Sequence, residues 1–186
     1  MSSALKEIGV KKAIKFGFFT IMMILYKMMI FPQFRVFCLR ILGAKIGRNV
    51  IIHDASFFNY YRTGFKGIRI GNNCFIGNES LIDLADEVII SDNVTLAERV
   101  TILTHTNVGY KDHPLQKYFP SIAKPVFLDY GSFVGANVTI LPGVTIGKCV
   151  FVATGSVVTE DVSEYSLVAG VPARVIRKVD SEFLNI

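Results

Sequence analysis

The sequence predicts an all-β protein whose chain winds into a parallel β-helix, and two observations lead to this prediction. Apolar residues recur every six positions in two blocks and occupy fifteen of sixteen such positions, although hydrophobic residues make up only 51% of the chain. A fixed period of this kind is typical of repeat architectures. Glycine often follows the apolar position, as at Gly71 and Gly147, and glycine turns a corner without steric cost. The sixteen positions are Ile46, Ile52, Phe58, Gly64, Ile70, Ile76, Ile82, Val88, Val94 and Val100, then Leu128, Val134, Ile140, Ile146, Val152 and Val158.

A repeat of six residues indicates one flat face and one corner of a coil. It matches neither the 3.6-residue period of a helix nor a plain two-residue alternation. Three such faces close into a prism of about 18 residues per turn, with neighbouring turns about 4.8 Å apart, which is the usual spacing of paired strands. Parallel crossovers are ordinarily right-handed, so the residues alone leave the hand of the coil open.

Residues 1–43 differ from the coil and are predicted to be helical. They are rich in Met, Phe, Ile and Leu, and residues 1–48 carry nine Lys or Arg against Glu7, whereas the rest of the chain is net acidic. The longest uncharged stretch, Phe16 to Tyr26, has 11 residues, which is short of the roughly 18 that a bilayer span needs. Two interpretations stay open. The segment lies on a membrane surface with its lysines toward anionic headgroups, or it covers the open end of the coil.

The coil is predicted over residues 44–179, followed by a tail at 180–186, and its repeat breaks at two places. Positions 100 and 128 differ by 28, which is not a multiple of six, so a loop is predicted over residues 105–125. A milder break covers Phe57 to Gly67, which is rich in aromatic residues. Long loops on rigid scaffolds often carry function, so either break is a candidate wall for a binding pocket.

The stretch from Asp129 onward resembles the C-terminal half of the hexapeptide-repeat acyltransferases, most closely the sugar O-acetyltransferases that modify bacterial polysaccharides. Three motifs carry the resemblance: LPGVTIG from Leu141 to Gly147, GSVVTED from Gly155 to Asp161, and AGVPARVI from Ala169 to Ile176. Weaker similarity extends back to about Ile46, so that about three quarters of the chain is covered. The resemblance implies a left-handed parallel β-helix that assembles as a homotrimer.

The same resemblance implies that acetyl-CoA is the co-substrate and that His105, in ILTHTN at the base of the loop, is the general base. Attack of a sugar hydroxyl on a thioester requires removal of the hydroxyl proton, and an imidazole that titrates near neutrality is suited to accept it. Asp83 matches an acidic residue that the family has near the acceptor. Its carboxylate is predicted to bind sugar hydroxyls or to hold the tautomer of the imidazole. Asn78 is a weaker candidate for acceptor binding.

Seven residues are predicted, through the resemblance, to bind the cofactor. Basic side chains suit the phosphates of CoA, and small residues allow close approach of the backbone. Two positions depart from the family: Glu160 stands where Lys is common, which shifts the expected phosphate contact to Arg174 or Lys148, and Phe133 stands where Trp is common. The predicted cofactor residues are Phe133, Gly135, Ala136, Ala153, Arg174, Arg177 and Lys178.

The other histidines and the cysteines do not predict a metal site. His105 and His113 lie eight residues apart in a loop with no third ligand nearby, and the three cysteines show no metal-ligand spacing. The resemblance implies an acetyl-CoA-dependent O-acetyltransferase that modifies a sugar hydroxyl in a cell-surface polysaccharide or in its lipid-linked precursor. We expect it to need no metal and to bind no nucleic acid. We expect it in the cytoplasm, at the inner face of the membrane. Two alternatives stay open: N-acylation of a nucleotide-linked amino sugar, and a non-catalytic trimeric scaffold.

Overall fold

The computed structural model describes residues 10–109 and 112–180, and in them a three-sided left-handed parallel β-helix follows two N-terminal helices. Helix α1 is Val10–Lys27 and helix α2 is Pro32–Ile41. Proline at the start of α2 suits the first helical turn, where its missing N–H costs nothing. Beyond α2, Gly43 has φ +105°, a conformation that glycine adopts without strain. Residues 1–9 and 181–186 of the predicted terminal segments lie outside the described residues.

The strands, numbered in chain order, form three faces in which successive turns pair in parallel. The first, second and third corners are the turns that follow the first, second and third faces along the chain. The first face contains β1 (Lys45–Ile46), β4 (Ile68–Ile70), β7 (Val88–Ile90), β12 (Val126–Leu128) and β15 (Thr145–Ile146). The second face contains β2 (Ile51–Ile52), β5 (Phe75–Ile76), β8 (Thr95–Leu96), β13 (Phe133–Val134), β16 (Phe151–Val152), β18 (Ser166–Gly170) and the antiparallel β19 (Ala173–Lys178). The third face contains β3 (Ser56–Phe58), β6 (Leu81–Asp83), β9 (Thr101–Ile102), β14 (Thr139–Ile140) and β17 (Val157–Val158).

The interior of the prism is filled by aliphatic side chains that stack from turn to turn. Ile76, for example, pairs with Ile52 in the turn before it and with Leu96 in the turn after it, and all three are fully buried. Glycine is required where consecutive turns touch at the corners. A Cβ on Gly77 would lie 2.6 Å from the backbone carbon of Ala97, closer than any real Cβ contact.

The predicted coil is observed, and Ile70, Ile76 and Ile82 lie at the predicted inward positions, but the predicted register is wrong from Val88 to Val100. Ile70 pairs with Ile90, Ile76 with Leu96, and Ile82 with Ile102, so this turn has 20 residues rather than 18. The two extra residues lie in the third corner. The inward positions are therefore Ile90, Leu96 and Ile102. The predicted Val94 and Val100 are also buried, because residues two apart on a strand point to the same side.

The register prediction is also wrong in the first turn. Phe57, and not Phe58, pairs with Ile82 and is buried in the core, and Gly64 lies on no strand but inside an insertion of the third corner. The fixed period fails for one physical reason: corners accept extra residues without disturbing the strands, so spacing along the chain does not set the pairing.

Both helices pack one apolar stripe onto the first turn of the coil. Met23 and Tyr26 of α1 and Val36 and Leu39 of α2 are buried, and the Tyr26 ring contacts the ring of Phe57 with centroids 5.9 Å apart. The helices thus cover the end of the hydrophobic core. Within the described residues, neither helix combines the length and the apolarity that a bilayer crossing requires.

The predicted loop over residues 105–125 leaves the coil at the third corner. Its base is a short antiparallel pair, β10 (His105–Thr106) and β11 (Ile122–Ala123). Between them, residues 114–117 form one 3₁₀ turn, and residues 110–111 lie outside the described residues. Ile102 pairs with Ile140, 38 residues later, so the loop adds 20 residues to a regular turn of 18.

Candidate active site

The third corner brings together polar side chains from three successive turns. Asp83 is the last residue of β6, His105 begins β10 just after β9, and Asn59 follows β3. These strands stack in register, since Phe58 pairs with Asp83 and Ile82 pairs with Ile102. The residues at the ends of these strands, where the chain turns at the third corner, therefore lie one above another. The His105 Nδ1 atom contacts the Asp83 Oδ2 atom.

Asp83 is fully buried and accepts hydrogen bonds from backbone N–H groups and from side chains. Oδ1 accepts from Asn59 Nδ2 at 2.8 Å and from the Ala85 N–H at 3.0 Å, and Oδ2 accepts from the Thr104 N–H at 3.0 Å as well as from His105. Burial alone would raise the pKa of this carboxyl, but the hydrogen bonds from His105, Asn59 and the two backbone groups outweigh it and hold the pKa below its ordinary value. Asp83 is therefore a carboxylate at neutral pH.

This carboxylate fixes the tautomer of His105. An ionised carboxylate only accepts hydrogen bonds, so the His105 Nδ1 atom must carry a proton. In the neutral ring the lone pair then lies on Nε2, the nitrogen on the opposite side of the imidazole. The His105 side chain is 27% exposed, so a substrate can reach it. The arrangement can remove a proton from a hydroxyl or an amine and return it to a leaving group.

Of the two roles predicted for Asp83, the geometry favours the orientation of the imidazole. The carboxylate is buried and its lone pairs face four donors, so no oxygen is left to contact an acceptor from solvent. Asn59 was missed by sequence reasoning. Its amide donates to Asp83 and lies 3.4 Å from the His105 Nδ1 atom. The available signal was its place, directly after a strand, in the aromatic stretch already marked as a break.

Asn78, the predicted acceptor residue, lies at a different corner from His105. It follows β5 at the second corner, and its Oδ1 atom accepts from the Asp54 N–H at 3.3 Å. Its backbone carbonyl accepts from the Arg99 N–H of the next turn at 2.8 Å. Within one chain, these contacts give Asn78 a role in the corner itself.

Two of the predicted cofactor residues line one groove on the outside of the second face. The Phe133 ring stacks on the Phe151 ring with centroids 4.7 Å apart and planes 23° apart, and Arg177 extends from β19 beside Leu167. The groove has a volume of about 630 Å³ and is lined by Asn93, Tyr130, Gly131, Phe133, Cys149, Val150, Phe151, Leu167, Arg177 and Val179. An aromatic wall with a cation at one end suits a long ligand with apolar and anionic parts.

The other predicted cofactor residues have contacts within the chain. Arg174 donates to the Ala173 carbonyl at 2.8 Å and lies 3.9 Å from Glu160, so the residue that departs from the family pairs with a predicted phosphate ligand. Lys178 Nζ donates to Ser166 Oγ at 3.1 Å. Both cations stay exposed.

The predicted small residues Gly135, Ala136 and Ala153 lie at the second corner. A Cβ on Gly135 would come within 2.7 Å of the Thr154 backbone nitrogen. The Ala136 carbonyl accepts from the Gly155 N–H at 2.9 Å, and the Ala153 N–H donates to the Val168 carbonyl at 2.9 Å. The smallness of Gly135 thus has a packing reason, which is close contact with the next turn of the coil.

The remaining histidines have structural environments. His113 Nδ1 accepts from the Leu115 N–H at 3.2 Å at the start of the 3₁₀ turn, and the His53 ring packs on the Phe75 ring with centroids 5.2 Å apart. Among the described residues, no group of three His, Cys, Asp or Glu side chains has the geometry of a metal site.

Comparison with known proteins supports the repeat and the fold described above. The family model for the hexapeptide repeat of succinyl-transferase matches residues 67–98 and 130–160. Two curated relatives are 2,3,4,5-tetrahydropyridine-2,6-dicarboxylate N-acetyltransferases. The one from Brevibacillus brevis is 48% identical and the one from Enterococcus faecalis is 43% identical, each over 63 residues. Those 63 residues are 34% of this chain and 27% of each relative, so the chain matches about a quarter of their length.

Solved structures match nearly the whole chain. A galactoside acetyltransferase in complex with coenzyme A is 26% identical, with a TM-score of 0.75, and the match covers 100% of this chain and 88% of that one. A maltose O-acetyltransferase from Clostridium difficile 630 is also 26% identical, with a TM-score of 0.74 and coverage of 92% and 90%. The chain therefore carries the hexapeptide repeat, has the left-handed β-helix fold, and is similar along nearly its whole length to hexapeptide-repeat acetyltransferases.

Proposed function

We propose that this protein is an acetyl-CoA-dependent O-acetyltransferase that acts on a sugar hydroxyl in a cell-surface polysaccharide or in its lipid-linked precursor. The observation that carries the proposal is the contact between His105 and the buried carboxylate of Asp83 at the base of the loop. This pair supplies a base of defined tautomer at a partly exposed position. The likeness to a galactoside acetyltransferase and to a maltose O-acetyltransferase supports a sugar as the acceptor.

In the proposed reaction, the acceptor hydroxyl gives its proton to the Nε2 atom of His105 as its oxygen attacks the thioester carbonyl of acetyl-CoA. The charge on the imidazolium is stabilised by the Asp83 carboxylate, which keeps its hydrogen bonds throughout. When the tetrahedral adduct collapses, the C–S bond breaks and the proton on Nε2 goes to the departing sulfur. The products are an O-acetyl sugar and free CoA, and His105 returns to its starting state.

We propose that acetyl-CoA lies along the groove beside Phe133, with its phosphates near Arg177, Arg174 and Lys178. The complex of the galactoside acetyltransferase with coenzyme A supports the choice of co-substrate. The geometry of the groove suits the ligand, because the aromatic surface matches the apolar parts and Arg177 at its edge matches the anionic parts.

We propose that the active unit is a homotrimer. His105 lies at the third corner, whereas Phe133 lies on the second face and Gly135, Ala136 and Ala153 at the second corner. A site that uses both sets of residues needs the third corner of one protomer to meet the second face of its neighbour. Cyclic assemblies make such contacts between unlike surfaces. Size-exclusion chromatography with light scattering tests this directly, and a catalytically competent monomer would contradict it.

A second candidate is N-acylation of a nucleotide-linked amino sugar. Transfer to nitrogen is favoured by two of the curated relatives, which are N-acetyltransferases. The same imidazole would take a proton from an amine instead of a hydroxyl. A non-catalytic scaffold, the third possibility, leaves the buried Asp83 and its convergent hydrogen bonds without a purpose.

The experiment is a thiol-release assay with acetyl-CoA and a panel of neutral sugars, glycans and amino-sugar nucleotides. We expect turnover with hydroxyl acceptors, and His105→Ala should reduce kcat by about 10²- to 10⁴-fold because it removes the base. His113→Ala is the matched control, since this histidine caps a turn of the same loop. Turnover only with amino sugars would favour the second candidate. The proposal would be refuted if none of the acceptors in the panel supported turnover, or if the His105→Ala variant had a normal rate.

A further inference from the structure

Helix α1 carries two apolar stripes, and only one of them packs on the coil. Phe19, Met23 and Tyr26 face the coil. On the opposite side, the spacing i, i+4, i+7, i+11 places four large apolar residues on one face. All four are exposed, and so is Met28, which follows the helix directly. These outer residues are Ile14, Phe18, Ile21, Leu25 and Met28.

Helix α2 repeats this arrangement. Val36 and Leu39 are buried against the coil, while the opposite side of the helix carries large apolar residues at the spacing i, i+3, i+7. Ile30, which is also exposed, lies just before the helix. The exposed set is Ile30, Phe34, Phe37 and Ile41. Together with the outer residues of α1, this set is called the outer stripe. So large an exposed apolar surface marks an interaction site.

The sequence of the segment that carries the outer stripe is basic, and this charge points to its partner. From Ile8 to His53 the sequence contains no Asp or Glu, whereas it contains eight Lys or Arg. An isologous contact between two copies would bring these like charges together and is disfavoured. An anionic bilayer offers the complementary charge and an apolar layer for the side chains.

We infer that the outer stripe docks on an anionic lipid bilayer and that the acceptor is a glycan anchored in that bilayer. The half of this inference that concerns the acceptor rests on the proposed function, whereas the docking half does not. The outer stripe joins the catalytic pair through a continuous series of contacts, which connects the two halves.

These contacts run from α1 to the third corner. The Phe18 ring contacts the Phe19 ring with centroids 5.6 Å apart, and the Phe19 ring contacts the Tyr60 ring at the same separation. Thr20 Oγ1 also lies 3.4 Å from the Tyr60 hydroxyl. The residue before Tyr60 is Asn59, whose amide contacts both Asp83 and His105. A bilayer under α1 therefore lies beside the catalytic corner, where a lipid-anchored sugar reaches His105 without leaving the membrane.

The docking half is tested with the full chain and vesicles of phosphatidylcholine, with and without phosphatidylglycerol. We expect co-sedimentation with the anionic vesicles that weakens as salt is added. The double variant Ile21→Glu/Leu25→Glu, which leaves the contact series through Phe18 intact, should lower partitioning by more than about tenfold, since it places charges in the apolar layer. Leu115→Glu is the control, because Leu115 is an exposed apolar residue outside the helices.

Circular dichroism checks that the variants fold, and light scattering measures their oligomeric state. Wild-type protein that binds neither vesicle would overturn the docking half. A double variant that binds vesicles normally but dissociates into smaller oligomers would overturn it too, because the stripe would then be a protein interface.

The acceptor half is tested by comparing the methyl and dodecyl glycosides of the best sugar from the acceptor panel, the dodecyl form being incorporated in anionic vesicles. We expect kcat/KM to be higher by about tenfold or more for the vesicle-bound glycoside, because docking concentrates enzyme and acceptor on one surface. The double variant should lose this preference and keep its rate on the methyl glycoside. Equal rates on both glycosides in the wild type would overturn the acceptor half. If no sugar supported turnover, the result would instead count against the proposed function. The docking half would still be judged by the vesicle co-sedimentation result alone.

Discussion

Two corners of the same prism carry stacks of asparagine and aspartate, and they differ in how the hydrogen bonds are arranged. At the first corner the bonds pass from one turn to the next: Asn49 Nδ2 donates to Asn73 Oδ1 at 3.1 Å, and Asn72 Nδ2 donates to Asp92 Oδ2 at 3.1 Å. At the third corner the bonds converge on one carboxylate, that of Asp83. Propagating bonds repeat and stabilise the coil, whereas converging bonds orient a single group.

The first corner also has the shape of a binding site without its chemistry. A cavity of about 440 Å³ is lined by Arg48, Asn49, Asn72, Asn73 and Asp92. None of these side chains is an imidazole that could act as a general base. At the third corner the carboxylate is fully buried and the imidazole beside it is partly exposed. The contrast shows that the convergence of donors on a buried acid, and not the presence of a polar cavity, distinguishes the candidate active site.

Removing the carboxylate charge at each corner should give the largest difference in activity between the two corners. Asp83→Asn should reduce kcat by roughly 10³- to 10⁴-fold, because an amide no longer fixes the Nδ1–H tautomer of His105. Asp92→Asn makes the same change at the first corner and should leave kcat near the wild-type value. Steady-state thiol release from acetyl-CoA measures both. Equal losses in the two variants would mean that the two corners do not differ in function.

A smaller effect is expected from the asparagines. Asn59 has φ +55° and Asn73 has φ +55°, so glycine replaces either without backbone strain and removes only the amide. Asn59→Gly should lower kcat by about tenfold, the order expected for losing one hydrogen bond to a charged group, with KM for acetyl-CoA unchanged. Asn73→Gly should leave both constants unchanged. A rise in KM without a fall in kcat for Asn59→Gly would show that the residue contacts substrate rather than orienting Asp83.

Sequence reasoning located the coil and two of the three residues at the third corner, and the reasons for its errors are physical. The six-residue pattern predicted the coil because every turn needs aliphatic residues inside. The pattern placed the inward positions at Val94 and Val100 instead of Leu96 and Ile102. Val94 and Leu96 are both buried and apolar, and so are Val100 and Ile102. Composition does not separate two inward positions, whereas strand pairing does.

The six-residue spacing did not reveal Asn59 for a related reason. It stands 24 residues before Asp83 and not 18, because the insertion after β3 lengthens that turn. The two stripes of helix α1 are equally hidden in the sequence, since Phe18 and Phe19 are the same residue type. Only the packing of Phe19 on Tyr60 and Phe65 tells the inner stripe from the outer one.

The smallest expected effect is a change in the free energy of unfolding at acid pH. It allows the two corners to be compared directly, because the pKa of the carboxyl is lowered at both. Backbone and side-chain donors of Asn72 lower the pKa of Asp92, and hydrogen bonds led by that of His105 outweigh burial to lower the pKa of Asp83. A carboxyl whose pKa is lower in the folded state adds stability above its unfolded pKa of about 3.9, and this stability disappears as the pH falls through the folded value. Urea unfolding should therefore show Asp83→Asn less stable than wild type at pH 7, with the gap closing below about pH 4. Asp92→Asn should follow the same course with a smaller gap, because solvent screens Asp92, which is only partly buried, more than it screens Asp83. A gap that persists unchanged in acid would mean that Asp83 stabilises the corner by its shape and not by its charge.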